Sequence, residues 1–156
     1  MGRPPPMKRL GLFFRRQRRE RALLLEALLA LCYARLVIKL VPFRRLAPRL
    51  GRSETETVAA VTPAERALAV EISWAVQAVA RHAPVDFVCL PQALAARRML
   101  RARGLASTLY FGAARDVAQP GAVTSHAWLR VGDKIVTGER EAPWYVVVAK
   151  FADESG

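Results

Sequence analysis

The chain has 156 residues, 53% of them hydrophobic, which is enough for one domain with a real core. Its net charge of +12 is confined to residues 1–52, where 14 Lys and Arg face two Glu; residues 53–156 balance to zero. That asymmetry argues against a diffuse nucleic-acid binder and for a basic N-terminal segment joined to a neutral domain. Cys32 and Cys89 are the only cysteines. Without a signal-peptide pattern they are expected to be free thiols in the cytoplasm. With His82 and His126 they match no familiar zinc spacing.

Residues 1–19 carry three consecutive prolines and Arg15-Arg16-Gln17-Arg18-Arg19. They read as a flexible basic tail, either merely solvated or in contact with an acidic partner or an anionic membrane. Nucleic acid is the weakest of these readings, because Phe13 and Phe14 are the only interleaved aromatics. Residues 20–41 are leucine- and alanine-rich and predict a helix. Glu26, Arg35 and Lys39 interrupt it, so it lacks the run of about 20 apolar residues that a membrane span needs. It is expected to pack on the protein or a partner rather than on a membrane surface, with Cys32 as a buried small hydrophobe. Pro42 ends it, and 43–51 continue as a short basic amphipathic piece. The division expected is a tail (1–19), a helical docking segment (20–52) and a catalytic domain (53–156).

Residues 52–61 read as a linker. Thr62-Pro63-Ala64-Glu65 then supplies a cap, a proline at the first helical position and a capping-box Glu. The helix should run to about His82 with Leu68, Ile72, Ala75, Val76 and Val79 as its apolar stripe. His82, before Ala83-Pro84, suits the terminal carbonyls.

The central stretch is Val85 to Gly104. Cys89 stands at or just before a helix start, Pro91 fits the first turn, and Leu90, Leu94, Met99 and Leu100 recur at helical spacing. Arg97, Arg98, Arg101 and Arg103 suit the negative end of the helix dipole. Gly104 suits a left-handed cap. At the opposite end the dipole and free N–H groups favour a thiolate, the form a cysteine nucleophile needs. Downstream, Ser107 to Phe111 predicts a strand, and 115–124 a flexible loop that could line a cleft. Ser125 to Val131 predicts a strand, Gly132-Asp133 a turn and Lys134 to Thr137 the return strand. Alternation puts His126, Trp128 and Arg130 on one strand face. Trp144 to Phe151 closes with a β-branched run that suits a buried central strand.

A cysteine at a helix start followed by a histidine on a strand is the order of papain-like and transglutaminase-like cysteine enzymes. The fold class expected is α+β, a Cys-bearing helix packed on an antiparallel sheet, with an N-terminal helical extension. Either residue alone is better read as structural; together they point to a Cys/His enzyme. The segments Ala22-Leu-Leu-Leu-Glu-Ala-Leu-Leu-Ala-Leu, Leu40-Val-Pro-Phe-Arg-Arg-Leu-Ala, Cys89-Leu-Pro-Gln-Ala-Leu-Ala-Ala-Arg-Arg-Met-Leu-Arg-Ala-Arg-Gly, Thr108-Leu-Tyr-Phe-Gly and His126-Ala-Trp-Leu-Arg-Val-Gly-Asp-Lys-Ile-Val-Thr-Gly resemble the leader peptidases of lasso peptide biosynthesis, in their split form. The resemblance runs from about residue 20 to Phe151.

It implies a Cys-His-Asp type site without cofactor or metal. The activity implied is hydrolysis of a precursor's leader, with a separate leader-binding protein and a cyclase as partners. Cys89 maps to the nucleophile and His126 to the base. The family's acidic residue falls near Gly138, which has no side chain to orient an imidazole. With a two-residue turn at Gly132-Asp133, opposed positions sum to 265, so Glu139 is expected to face His126 as the orienting residue. Asp133 is left to shape the hairpin. A dyad completed by a carbonyl or water stays open. A transglutaminase-like acyltransferase and a non-catalytic interaction module are the alternative functions.

Overall fold

The computed structural model describes residues 17–58 and 60–153. Of the expected tail, residues 1–16 lie outside the described residues, and Arg18 and Arg19 already belong to the first helix. In chain order the elements are α1 (Arg18–Leu40), α2 (Phe43–Leu46) running into a 3-10 turn (Ala47–Leu50), β1 (Arg52–Ser53), α3 (Pro63–His82) and α4 (Cys89–Arg101). They are followed by β2 (Thr108–Arg115), β3 (Val123–Val131), β4 (Lys134–Thr137), a 3-10 turn (Ala142–Trp144) and β5 (Val146–Ala152). The strands form one sheet in the order β1-β5-β2-β3-β4, and every pairing is antiparallel. The α+β expectation holds.

Alternation along the strands separates the two faces of the sheet. Leu109, Leu129, Val131 and Phe151 meet the helices, whose inner faces supply Leu31, Ile72, Ala96, Met99 and Leu100 to the same core. Tyr110, Trp128 and Ala142 build a smaller cluster on the other face, with Ile135 and Tyr145 against it. α1 is part of the main core, since Ala27, Ala30, Leu31 and Ala34 are all buried.

Local chemistry fixes the helix ends that matter here. The Thr62 hydroxyl accepts from Glu65 N at 3.2 Å, and the Glu65 carboxylate accepts from Thr62 N at 2.7 Å, closing the capping box. His82 Nδ1 lies 2.7 Å from Ala78 O, as a helix-end histidine should. Gly104 takes φ +74° just past α4, and Leu105 N donates back to Leu100 O at 3.0 Å.

Several expectations give way. Cys32 is exposed, because helical phase places it on the outer face of α1. The 52–61 linker is tied down, by β1 pairing with β5 and by Thr57 N donating to Thr108 Oγ1 at 2.9 Å. β2 outruns its prediction by four residues, through Gly112, Ala113 and Ala114, whose small side chains hide a strand that cross-strand pairing nonetheless forms. The flexible loop shrinks to a tip between Arg115 and Val123, which pair with each other. β5 is central by order but not buried throughout: Val146 and Val148 are 74% and 62% exposed, since β1 reaches only Phe151 and Ala152.

Candidate active site

Cys89 is the first residue of α4, after an extended Val88 (φ −68°, ψ −176°), and no side chain caps the helix. The orphan N–H groups of that first turn therefore remain for a ligand. The thiol is part-buried. Gln92, one turn on, donates from Nε2 to Phe87 O at 2.6 Å and fixes the approach to the helix.

The second half of the site comes from β3. His126 pairs across the ladder with Gly112, and the residue is 8% exposed. It lies against Trp128 and Tyr145, with ring centroids 5.9 and 5.1 Å away. Gly112 makes this wall possible: a Cβ there would come within 2.7 Å of both the Trp128 ring and Tyr145 Cβ. His126 Nε2 lies 3.0 Å from Gly138 O. A carbonyl can only accept, so Nε2 carries a hydrogen, and in the neutral form of the ring it is Nδ1 that holds the lone pair.

Gly138 thus corrects its own reading from the sequence, because its backbone orients the imidazole where a side chain cannot. It stands at φ +74°, and a Cβ there would meet His126 Nε2 and Ala127 O at 2.8 Å. Both the left-handed backbone and the close approach require glycine.

The ladder does not pair Glu139 with His126, and among the described residues no hydrogen bond joins their side chains. The opposed-position sum of 265 holds for Arg130–Ile135 and Val131–Lys134, but a bulge shifts it to 266 at Leu129–Thr137, where β4 ends. The Glu139 carboxylate instead accepts from Lys134 Nζ at 2.9 and 3.1 Å. Asp133, at the hairpin turn, pairs with Arg66 of α3 at 2.7 Å, and that bond holds its carboxyl below the usual carboxylate range.

Cys89 and His126 line one cleft of about 710 Å³ with Gln77, Gln92, Glu139 and Glu141. Among the described residues no hydrogen bond joins the thiol to the imidazole. Gln77 and Gln92 were missed in the sequence. Gln77 and Arg81 share a face of α3 by their i, i+4 spacing, and Gln92 lies i+3 from Cys89; those spacings were the available signals. A second cleft of about 730 Å³, lined by Arg49, Arg52, Arg101 and Asp153 among others, contains no Cys or His and offers no nucleophile–base pair.

A buried ionic brace ties α4 to the segment just past β5. Arg97 Nε and Nη2 donate to Asp153 Oδ1 at 3.0 and 2.7 Å, while Ser107 N and Oγ donate to Oδ2 at 2.8 and 2.7 Å. Burial pushes the Asp153 carboxyl up, but the Arg97 charge and the Ser107 hydrogen bonds outweigh it and hold the group below its ordinary value.

Residues 37–149, well over half the chain, match the family model described as the transglutaminase-like superfamily. No curated protein and no solved structure gives a significant match.

Proposed function

Because the chain belongs to the transglutaminase-like superfamily, a class of fold suited to cysteine peptidases and acyltransferases, we propose that it is a cysteine peptidase. In this reading it removes the leader from a ribosomally made lasso precursor. A separate leader-binding protein presents the precursor, and a cyclase takes the product. The observation that carries the chemistry is the meeting, in one cleft, of Cys89 at an uncapped helix start and a buried His126 already held through Nε2. The lasso assignment rests on the sequence resemblance of the segments around Cys89 and His126.

His126 Nδ1 takes the thiol proton as Cys89 Sγ attacks the scissile carbonyl. The tetrahedral oxyanion lies near the first N–H groups of α4. Collapse breaks the C–N bond, the imidazolium protonates the leaving amine, and an acyl-enzyme remains. Water, deprotonated by the same nitrogen, then frees the acid and restores the thiol. The thiol and imidazole are not yet bonded, so substrate binding has to draw them together, as catalytic contacts in empty sites commonly require. Gly138 O takes the place of the family's acidic residue, and Glu139 is left to shape the rim of the cleft.

The test is mass spectrometry of the precursor with its leader-binding partner. Cys89→Ala and His126→Ala should each lose about 10³-fold or more in cleavage rate while remaining folded. Undiminished cleavage by Cys89→Ala would sink the mechanism and favour an interaction module. Family membership equally accommodates acyl transfer to an amine; a competing primary amine that captures the acyl group in preference to water would establish that alternative.

A further inference from the structure

α1 buries one face and leaves the other bare. Leu25, Leu29, Tyr33, Leu36 and Leu40 are 51%, 70%, 53%, 55% and 68% exposed. At 100° per residue they fall within one stripe about 80° wide, and at 1.5 Å per residue it runs about 22 Å. Soluble monomers seldom leave a continuous leucine face of this kind uncovered.

The charges around the stripe identify what would cover it. Arg21 and Lys39 flank it on one side, while Arg35, farther round the helix, donates to Asp86 O and lies over the Phe87 ring. On the other, the Arg98 guanidinium sits 4.7 Å from the centre of the Tyr33 ring. Glu26, beside the stripe, is paired with Arg103 at 2.6 Å. Residues 18–49 carry eight Lys and Arg against two Glu. The surface is a convex cylinder, apolar along its crest and cationic on its flanks. A second copy would bring the same excess positive charge against it. A flat layer with apolar depth and anionic headgroups matches both features. No helix among the described residues is long and apolar enough to cross a membrane, so the contact is one of lying on the surface.

We propose that the outer face of α1 docks the protein on an anionic lipid surface, Leu29 and Leu36 entering the acyl boundary and Arg21 and Lys39 meeting headgroup phosphates. The proposal is independent of the peptidase reading, because its test involves no substrate. The full chain would be co-sedimented with vesicles of phosphatidylcholine containing phosphatidylglycerol, and with phosphatidylcholine alone. Wild type should partition onto the anionic vesicles only. Leu29→Ser/Leu36→Ser, which leaves the charge intact, should bind at least about tenfold more weakly. Arg21→Gln/Lys39→Gln should weaken binding about fivefold for each cation lost. Both leucines are exposed, so the fold should survive, as circular dichroism would verify; Leu25→Ser/Leu40→Ser provides a second apolar variant. Wild-type binding by both leucine variants would assign any attraction to charge alone and overturn the proposal. So would failure of folded wild type to bind anionic vesicles, which would leave the face to an acidic protein partner.

Discussion

Gly138 carries two duties at one backbone position: a left-handed conformation, and a carbonyl that takes the Nε2–H of His126. Gly138→Ala would force a Cβ to within 2.8 Å of that nitrogen. It should lower kcat about a hundredfold through a displaced imidazole, with KM little changed. Glu139→Gln should instead keep its rate within about twofold, because the carboxylate it removes serves an exposed ion pair with Lys134. Steady-state cleavage kinetics on the two variants separates these outcomes. That Cys89 and His126 meet in one cleft was legible in the sequence, because a cysteine at a helix start and a histidine on a strand are marked by local signals. The group that orients His126 was not, because a backbone carbonyl has no residue identity and one bulge upset the register count. The arginines of α4 show the same limit. Their spacing suggested partners for the helix dipole, whereas Arg97 and Arg103 have specific carboxylates, Asp153 and Glu26.

β2 is the element on which the aromatic wall is assembled. It is flanked by β3 and β5, and only a bare Cα at Gly112 lets Trp128 and Tyr145 close beside His126. Gly112→Ala should cost about 1–3 kcal/mol in urea unfolding, because the new methyl meets a packed ring. It should also slow cleavage through the shifted histidine. The helices were legible nearly to their ends, since capping residues, Pro42 and Gly104 are local signals. The strands were less so: Gly112 to Ala114 have no strand propensity of their own, and the β-branched run of β5 gave no sign that β1 would cover only its last residues.

At the scale of the molecule, the charge asymmetry was legible because it is a count along the chain, while the internal ionic brace was invisible, because it joins positions 56 residues apart. Its contribution depends on pH in a definite direction. The folded Asp153 carboxyl titrates below its ordinary value, so the unfolded chain binds the proton first. The stabilisation is therefore present above about pH 4, the unfolded range, and is lost as pH falls through the folded value. Asp153→Ala should cost about 3–5 kcal/mol at neutral pH, since it leaves the Arg97 charge buried without its partner. Chemical denaturation at neutral and acidic pH should show that gap narrowing as acid is added.

The same brace bears on how the chain acquires its structure. The Arg97 guanidinium is carried inward by α4, whereas its counter-charge arrives only when the segment just past β5 is in place. A state with the helices docked and that segment still loose would bury an isolated cation, which costs several kcal/mol. Such a half-assembled form should be too sparse to accumulate. Helix and sheet would then form and melt in one step, with far-ultraviolet dichroism and tryptophan fluorescence tracing a single superimposable transition.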